Sequence, residues 1–322
     1  MGFTLTGLTK WVNENNKDVK AELFTSRDTT SHIEVLTDVT YKTKIKKLTG
    51  DVYLTDQRCG FDGSLNSTVL TDTEITVYPC TYNEIFCPGD LKEYSMSQFM
   101  KKGMLNINDT MPLEEVFAKY KIGKYNEKIE WNIWQGVDGT YTPGGGSPTV
   151  GPGGFIGFLT QFVTDANVDK TTVFDFTTAS GSASDYIAAM HTVYNLLPAV
   201  AKSQNNVKFF MGYDAFNIYQ QKLILLGNAS LQLGGANALQ FSNTLPLLGT
   251  NATVVGVSGL NGTGRVACTV ADNMIFGCDL ESELNVVKFV YDEATDNLKA
   301  MIIGQAGVAY HFGEYIVSNA TA

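Results

Sequence analysis

The chain has 322 residues, 44% of them hydrophobic, which is long enough for a large core and too apolar for a disordered polypeptide. Its formal net charge is −10, and only 17% of its residues are charged, against roughly 25% in ordinary soluble domains. An acidic chain neutralises phosphates poorly, which excludes tight, sequence-independent DNA binding by the main body. The charge deficit is uneven. Residues 171–322 carry 6 basic and 11 acidic groups, so that half is weakly protected against association, and much of its surface is expected to lie against other subunits. The first 50 residues, with 8 basic and 6 acidic groups, are mildly basic.

Residues 1–37 read as an extended arm, with Leu5, Leu8, Trp11 and Val12 spaced for a short amphipathic turn. Tyr41, Thr43 and Ile45 then alternate with Lys42, Lys44 and Lys46. Period two sets these lysines on one face of a strand, with Lys47 counted in the same basic face. A second alternating run, 73–78, follows turn signals at Gly50-Asp51 and around Phe61, so residues 38–80 read as a long β-hairpin. Its weak apolar content means that it cannot be stable alone and needs something to lie on.

Residues 90–101 are spaced for a short helix, and a long helix is expected at about 111–135. Thr110 is placed to cap it, Pro112 to sit in its first turn, and Gly123 to bend it. Residues 138–157 read as loop and 171–176 as a short strand. Ser184-Asp185 caps a helix with Tyr186, Met190, Val193 and Leu197 on one face. A buried strand at 207–211 leads into a helix starting at Asp214. Short strands fill 229–283, and three more are expected at 286–291, 300–304 and 308–316. The order of elements is α+β.

Chemistry-bearing motifs are scarce. The triplet Gly259, Gly262 and Gly264 has the dinucleotide spacing reversed and reads as a turn, and no phosphate-binding loop occurs. His32, His191 and His311 have no ligand partner at metal spacing and read as structural. Cys59, Cys80, Cys87, Cys268 and Cys278 are odd in number and irregularly spaced, which reads as free thiols rather than disulfides or a zinc site. Catalytic, cofactor-binding and metal residues are therefore assigned as none. No apolar run reaches membrane-spanning length, so no membrane is expected. The first ten residues lack an apolar signal core, and 1–6 fit the myristoylation pattern only loosely. The lysine face, Lys42, Lys44, Lys46 and Lys47, leaves three readings open. It is a solvated edge that discourages aggregation, a contact to an acidic neighbouring subunit, or a patch facing nucleic acid, and the acidic body favours the second over the third.

Taken in order, these elements resemble a major capsid protein of tailed bacteriophages with the Hong Kong 97 type fold, over nearly the whole chain. Residues 1–37 resemble its N-terminal arm, 38–80 its extended hairpin loop, and 111–135 the spine helix of its peripheral domain. Residues 184–285 are similar to its axial domain, with Phe209-Phe210-Met211-Gly212-Tyr213-Asp214 at the strand-to-helix step. Residues 81–183 and 286–322 then supply the two parts of the peripheral domain. The segment 75–94, with Tyr78-Pro79, Asn83-Glu84, Phe86-Cys87 and Asp90-Leu91, is similar to capsid proteins of phages infecting Bacteroidetes-type hosts.

The resemblance implies a structural protein without enzymatic activity or cofactor. It implies self-assembly into hexamers and pentamers of an icosahedral head, in the host cytoplasm, around double-stranded DNA that is packaged without specific recognition. Scaffolding, portal and decoration proteins are the further partners it implies. The family's long N-terminal scaffolding segment is not read in this sequence, which leaves open that it was cleaved, that a separate protein scaffolds assembly or that none is needed, and no partner is identified for lysine–asparagine cross-linking. Lys42, Lys44, Lys46, Lys47, Phe61 and Trp11 are the expected inter-subunit contacts. The competing readings are an encapsulin-like compartment, an enzyme with a concealed site, and a tail or adhesin component.

Overall fold

The computed structural model describes residues 28–39, 41–54, 67–86, 113–137, 154–170, 174–177, 182–225, 244–279, 287–292 and 297–319. Along the chain come β1 (Glu34–Leu36), β2 (Lys42–Asp51), β3 (Ser67–Thr76), β4 (Tyr78–Phe86), α1 (Leu113–Gln135) and α2 (Phe158–Thr164). Next are α3 (Ala183–Leu196), α4 (Ala199–Lys202), β5 (Val207–Gly212), α5 (Tyr213–Leu225), β6 (Thr244–Pro246), β7 (Thr253–Val257) and β8 (Val266–Val270). The chain closes with β9 (Met274–Cys278), β10 (Val287–Asp292), β11 (Asn297–Tyr310) and β12 (Ile316–Ser318).

Among the described residues, two five-stranded sheets carry the body. In the first, β11 is the spine. β4 runs antiparallel along one edge of it, and β10 and β9 lie end to end along the other, with β1 parallel to β9. The second has the order β12-β8-β5-β7-β6. Its central strand is buried on both faces, which explains why Val207, Phe209, Phe210 and Met211 are apolar with only the half-buried Lys208 between them. Phe210, Val255 and Val257 face the core shared with α1, whereas Phe209, Met211 and Val254 face α3 and α5.

Helix α1 buries Ile122, Tyr125, Ile129 and Ile133 at three- and four-residue spacing. It runs unbroken through Gly123. Near its end Trp134 sits between Phe158 and Phe210, with ring centroids 5.5 and 5.4 Å away. Gly259 lets the chain after β7 approach this helix, because a Cβ there would fall 2.5 Å from the Glu130 carbonyl oxygen. Gly262 and Gly264 turn the chain at positive φ, so the glycine triplet is a turn and a helix contact. Large side chains buried this completely each contribute roughly 1.5–3 kcal/mol, so the body holds itself together.

Several expectations change. Residues 300–304 and 308–316 belong not to two strands but mostly to one, β11, which ends at Tyr310. Gly307 does not break it; a Cβ there would fall 2.2 Å from the Thr76 carbonyl oxygen, so the glycine admits the passing chain. Residues 174–177 form a turn rather than a strand, because the Asp175 carboxylate accepts both the backbone N–H and the hydroxyl of Thr177. The cap of α3 is Ser182, two residues before the expected Ser184. Its hydroxyl accepts the Asp185 N–H at 3.2 Å, and the Asp185 carboxylate accepts the Ser182 N–H at 3.0 Å. β9, within the stretch 184–285, pairs in the first sheet, and β12 pairs in the second. Residues 28–36, expected in the arm, pack into the body: Thr29 is fully buried and β1 lengthens the first sheet.

Candidate assembly surface

β2 and β3 pair antiparallel from Lys42 opposite Thr76 to Asp51 opposite Ser67. The hairpin is rooted by two backbone bonds, from Val77 N–H to the Tyr41 carbonyl at 2.9 Å and from Val39 N–H to the Cys278 carbonyl at 3.2 Å. At this root Val39, Ile75, Val77, Ile275 and Ala309 form a small core of their own, with Ile45 packed against it. Burial then stops. Along the hairpin beyond Lys47, Leu48 is 67%, Val52 82% and Leu54 96% exposed, and Leu70, directly opposite Leu48, is also exposed.

The register resolves the lysines. Lys42, Lys44 and Lys46 share one face, and across the ladder stand Glu74 and Asp72. Lys42 Nζ lies 2.5 Å from Glu74, whose hydrogen bond and charge raise the lysine's pKa, and Lys44 Nζ lies 3.5 Å from Asp72. That face is a mixed-charge ladder rather than a bare basic stripe. Lys47 is not part of it. One residue out of phase, it points to the opposite face, where its ammonium sits over the Phe312 ring, 4.2 Å from the centroid. Trp11 and Phe61 lie outside the described residues. Glu74, Asp72 and Phe312 were missed in sequence. The acids at 72 and 74 had a signal, since their spacing of two matches the lysines once the strands are registered.

Between the hairpin and the end of β11 lies a cleft of about 460 Å³, lined by Lys47, Glu74, Asp165, Tyr310 and His311 among others. Asp165 is structural there. Burial opposes ionisation of Asp165, but hydrogen bonds from Asn167 and from the Tyr310 hydroxyl, with nearby Lys170, hold its carboxyl below the ordinary range. His311 Nε2 lies 3.6 Å from Glu34 on β1. His32 has its pKa lowered by burial and by Lys208, against the opposing pull of Asp28. Cys80, Cys268 and Cys278 are buried and form no disulfide, the thiols of Cys80 and Cys278 lie against the Tyr78 and Leu36 carbonyls, and burial pushes the Cys268 pKa up. Cys59 and Cys87 lie outside the described residues. Among the described residues, no group of three or more His, Cys, Asp or Glu is placed to hold a metal ion. No described helix is long and apolar enough to cross a membrane.

No protein-family model matches the sequence, and no curated protein matches it. Solved structures do match, over nearly the full chain. A chain of the satellite phage P4 procapsid with its size determination protein aligns at 12% identity and a TM-score of 0.63, covering 94% of this chain and 90% of that one. A chain of the capsid of the Myoviridae phage XM1 aligns at 12% identity and 0.54, covering 89% and 88%. One from the capsid of an empty GTA particle aligns at 11% identity and 0.53, covering 91% and 89%. The mixed α+β fold is therefore one shared with phage capsid proteins.

Proposed function

We propose that this chain is the major capsid protein of a tailed phage, assembling through hexamers and pentamers into an icosahedral head around double-stranded DNA. One observation carries the reading. The β2–β3 hairpin is anchored at its root, yet it leaves Leu48, Val52, Leu54 and Leu70 in solvent. A two-stranded ribbon with uncovered apolar side chains is marginal by itself, and such a surface marks a contact. An adjoining copy is the occupant that the shared fold supports. Each contact is small, and a closed shell sums many of them.

In this reading residues 81–183 and 286–322 make the peripheral domain and 184–285 the axial domain. Of the residues expected to contact a neighbouring copy, Lys46, Phe61 and Trp11 keep that role in this reading, whereas Lys42 and Lys44 pair with acids of their own hairpin and Lys47 reaches Phe312 of its own subunit. The net charge of −10 limits adhesion of packaged DNA to the wall. Scaffolding, portal and decoration proteins, assembly in the host cytoplasm and a Bacteroidetes-type host complete the proposal. Negative-stain microscopy of the purified protein and of its source particles tests it. Uniform closed shells holding nuclease-protected DNA support it. Shells that hold protein cargo and no DNA favour a compartment instead. A monomer that persists at high concentration, across salt conditions and with a scaffold supplied, overturns it.

A further inference from the structure

The angle at which the hairpin leaves the body is not fixed by its root alone. Lys47 lies beyond the buried cluster of the root, on the face turned toward the body, and its half-buried side chain spans the cleft to reach Phe312. The receiving ring is held firmly. Phe312 N–H donates to the side-chain oxygen of Asn273 at 2.8 Å, and the Asn273 amide donates back to the Phe312 carbonyl at 2.9 Å. Asn273 is itself only 5% exposed. The Tyr315 ring packs beside Phe312 with its centroid 5.2 Å away. A buried amide that grips one residue's backbone on both sides builds a rigid platform, and an ammonium over an aromatic face is attracted by the ring's quadrupole. The cleft under the shaft leaves room for the hairpin to swing if that contact opens.

We infer that Lys47 and Phe312 are positioning residues: together they clasp the hairpin to the end of β11 and set the direction in which it presents the opposed Leu48–Leu70 pair. The inference rests on the reading above that the hairpin reaches a neighbouring copy, but its geometry is measured within one subunit. Lys47 thus has a role different from that of Lys42 and Lys44, which are engaged by acids on their own hairpin.

The test places spin labels, carried by unnatural amino acids, at positions 68 and 314 of the full chain, kept below its assembly concentration. Pulsed electron resonance then reads the distance between shaft and body. The unsubstituted protein should give one narrow distribution. Lys47→Ala and Lys47→Met should enlarge the released population about two- to five-fold, as expected for loss of a partly exposed cation–π contact. Lys47→Arg, which keeps a cation over the ring, should restore the narrow distribution. Phe312→Leu should mimic Lys47→Ala, with a thermal melt confirming that the body stays folded. A distribution unchanged in Lys47→Ala overturns the clasp, whatever assembly does. A widened distribution with shell formation intact in every variant sustains the clasp and counts instead against the hairpin as the assembly element.

Discussion

Thr29 and Glu130, 101 residues apart in sequence, meet inside the protein: the Thr29 hydroxyl donates to the Glu130 carboxyl, and the Thr29 backbone N–H lies 3.3 Å from both of its oxygens. The Trp134 indole N–H donates in turn to the Thr29 hydroxyl at 2.7 Å. This chain of bonds ties the segment that enters β1 to the helix at the centre of the body. Removing one partner leaves buried donors without an acceptor, which costs about 1–3 kcal/mol. Glu130→Ala and Thr29→Ala should therefore lower the unfolding free energy by that amount, measured by thermal or urea denaturation. Hydrogen exchange of the amides in β1 should rise at the same time. Unchanged exchange there would mean that the strand pairing with β9 holds the segment without help.

The hairpin's root and its outer part should respond oppositely to the same chemical change. Ile75 is fully buried at the root, and its side chain fills the space over Gly277. A charge there has no partner, so Ile75→Asp should cost several kcal/mol in the stability of the subunit. Leu48→Asp or Leu70→Asp, on exposed positions, should stay within about 0.5 kcal/mol in the same melt. In light scattering, however, the proposed assembly role requires the two leucine variants to fail to form shells, because the charge lands where that reading has a neighbouring copy desolvate the hairpin. Shell formation at the normal rate by Leu48→Asp and Leu70→Asp together would take the hairpin out of the interface.

Local pattern made much of this fold legible. The long helix α1, the helix after Ser182 and the central strand β5 each carry their own period or apolar run, and the structure places them within a few residues of where sequence does. Long-range pairings left no such trace. That 28–36 belongs to the body depends on Thr29 finding Glu130 and on β1 finding β9, neither of which a window of residues contains. The buried Asn319 is another case. Its amide donates to the carbonyls of Phe174 and Gly264, and its oxygen accepts the Val266 N–H, yet in sequence it is one more asparagine near a chain end. The lysine face was half legible. Alternation gave Lys42, Lys44 and Lys46, but counting Lys47 with them ignored that one step along a strand reverses the side chain.

The mixed-charge ladder yields a prediction about nucleic acid. With Glu74 and Asp72 facing them, Lys42 and Lys44 offer little free positive charge. Reversing the acids, in a Glu74→Lys and Asp72→Lys double variant, should create a basic stripe. Binding to a duplex of arbitrary sequence should then appear in a filter or mobility assay, and should fade steeply as salt rises. The unsubstituted hairpin should show none of this. Equal binding by both proteins would return the lysine face to the nucleic-acid reading.

Acid should weaken the body through Asp165. Its carboxyl ends α2, where Asn167 donates to one oxygen from its backbone at 2.9 Å and from its side chain at 3.0 Å, and Tyr310 donates to the other at 2.7 Å. Although burial opposes it, these bonds and Lys170 depress the native pKa below the unfolded one. A group depressed on folding contributes stability that is complete above the unfolded value of about 3.9 and is lost as pH falls through the native one. Glu84, where burial is outweighed by Lys121 at 2.5 Å and by the Tyr82 hydroxyl, acts in the same direction. Melting temperatures measured between pH 6 and pH 3 should hold steady and then drop below about pH 4. Asp165→Asn should begin lower and fall less, since an amide has no proton to gain. If that variant falls as steeply as the parent protein, the acid sensitivity lies in other carboxylates.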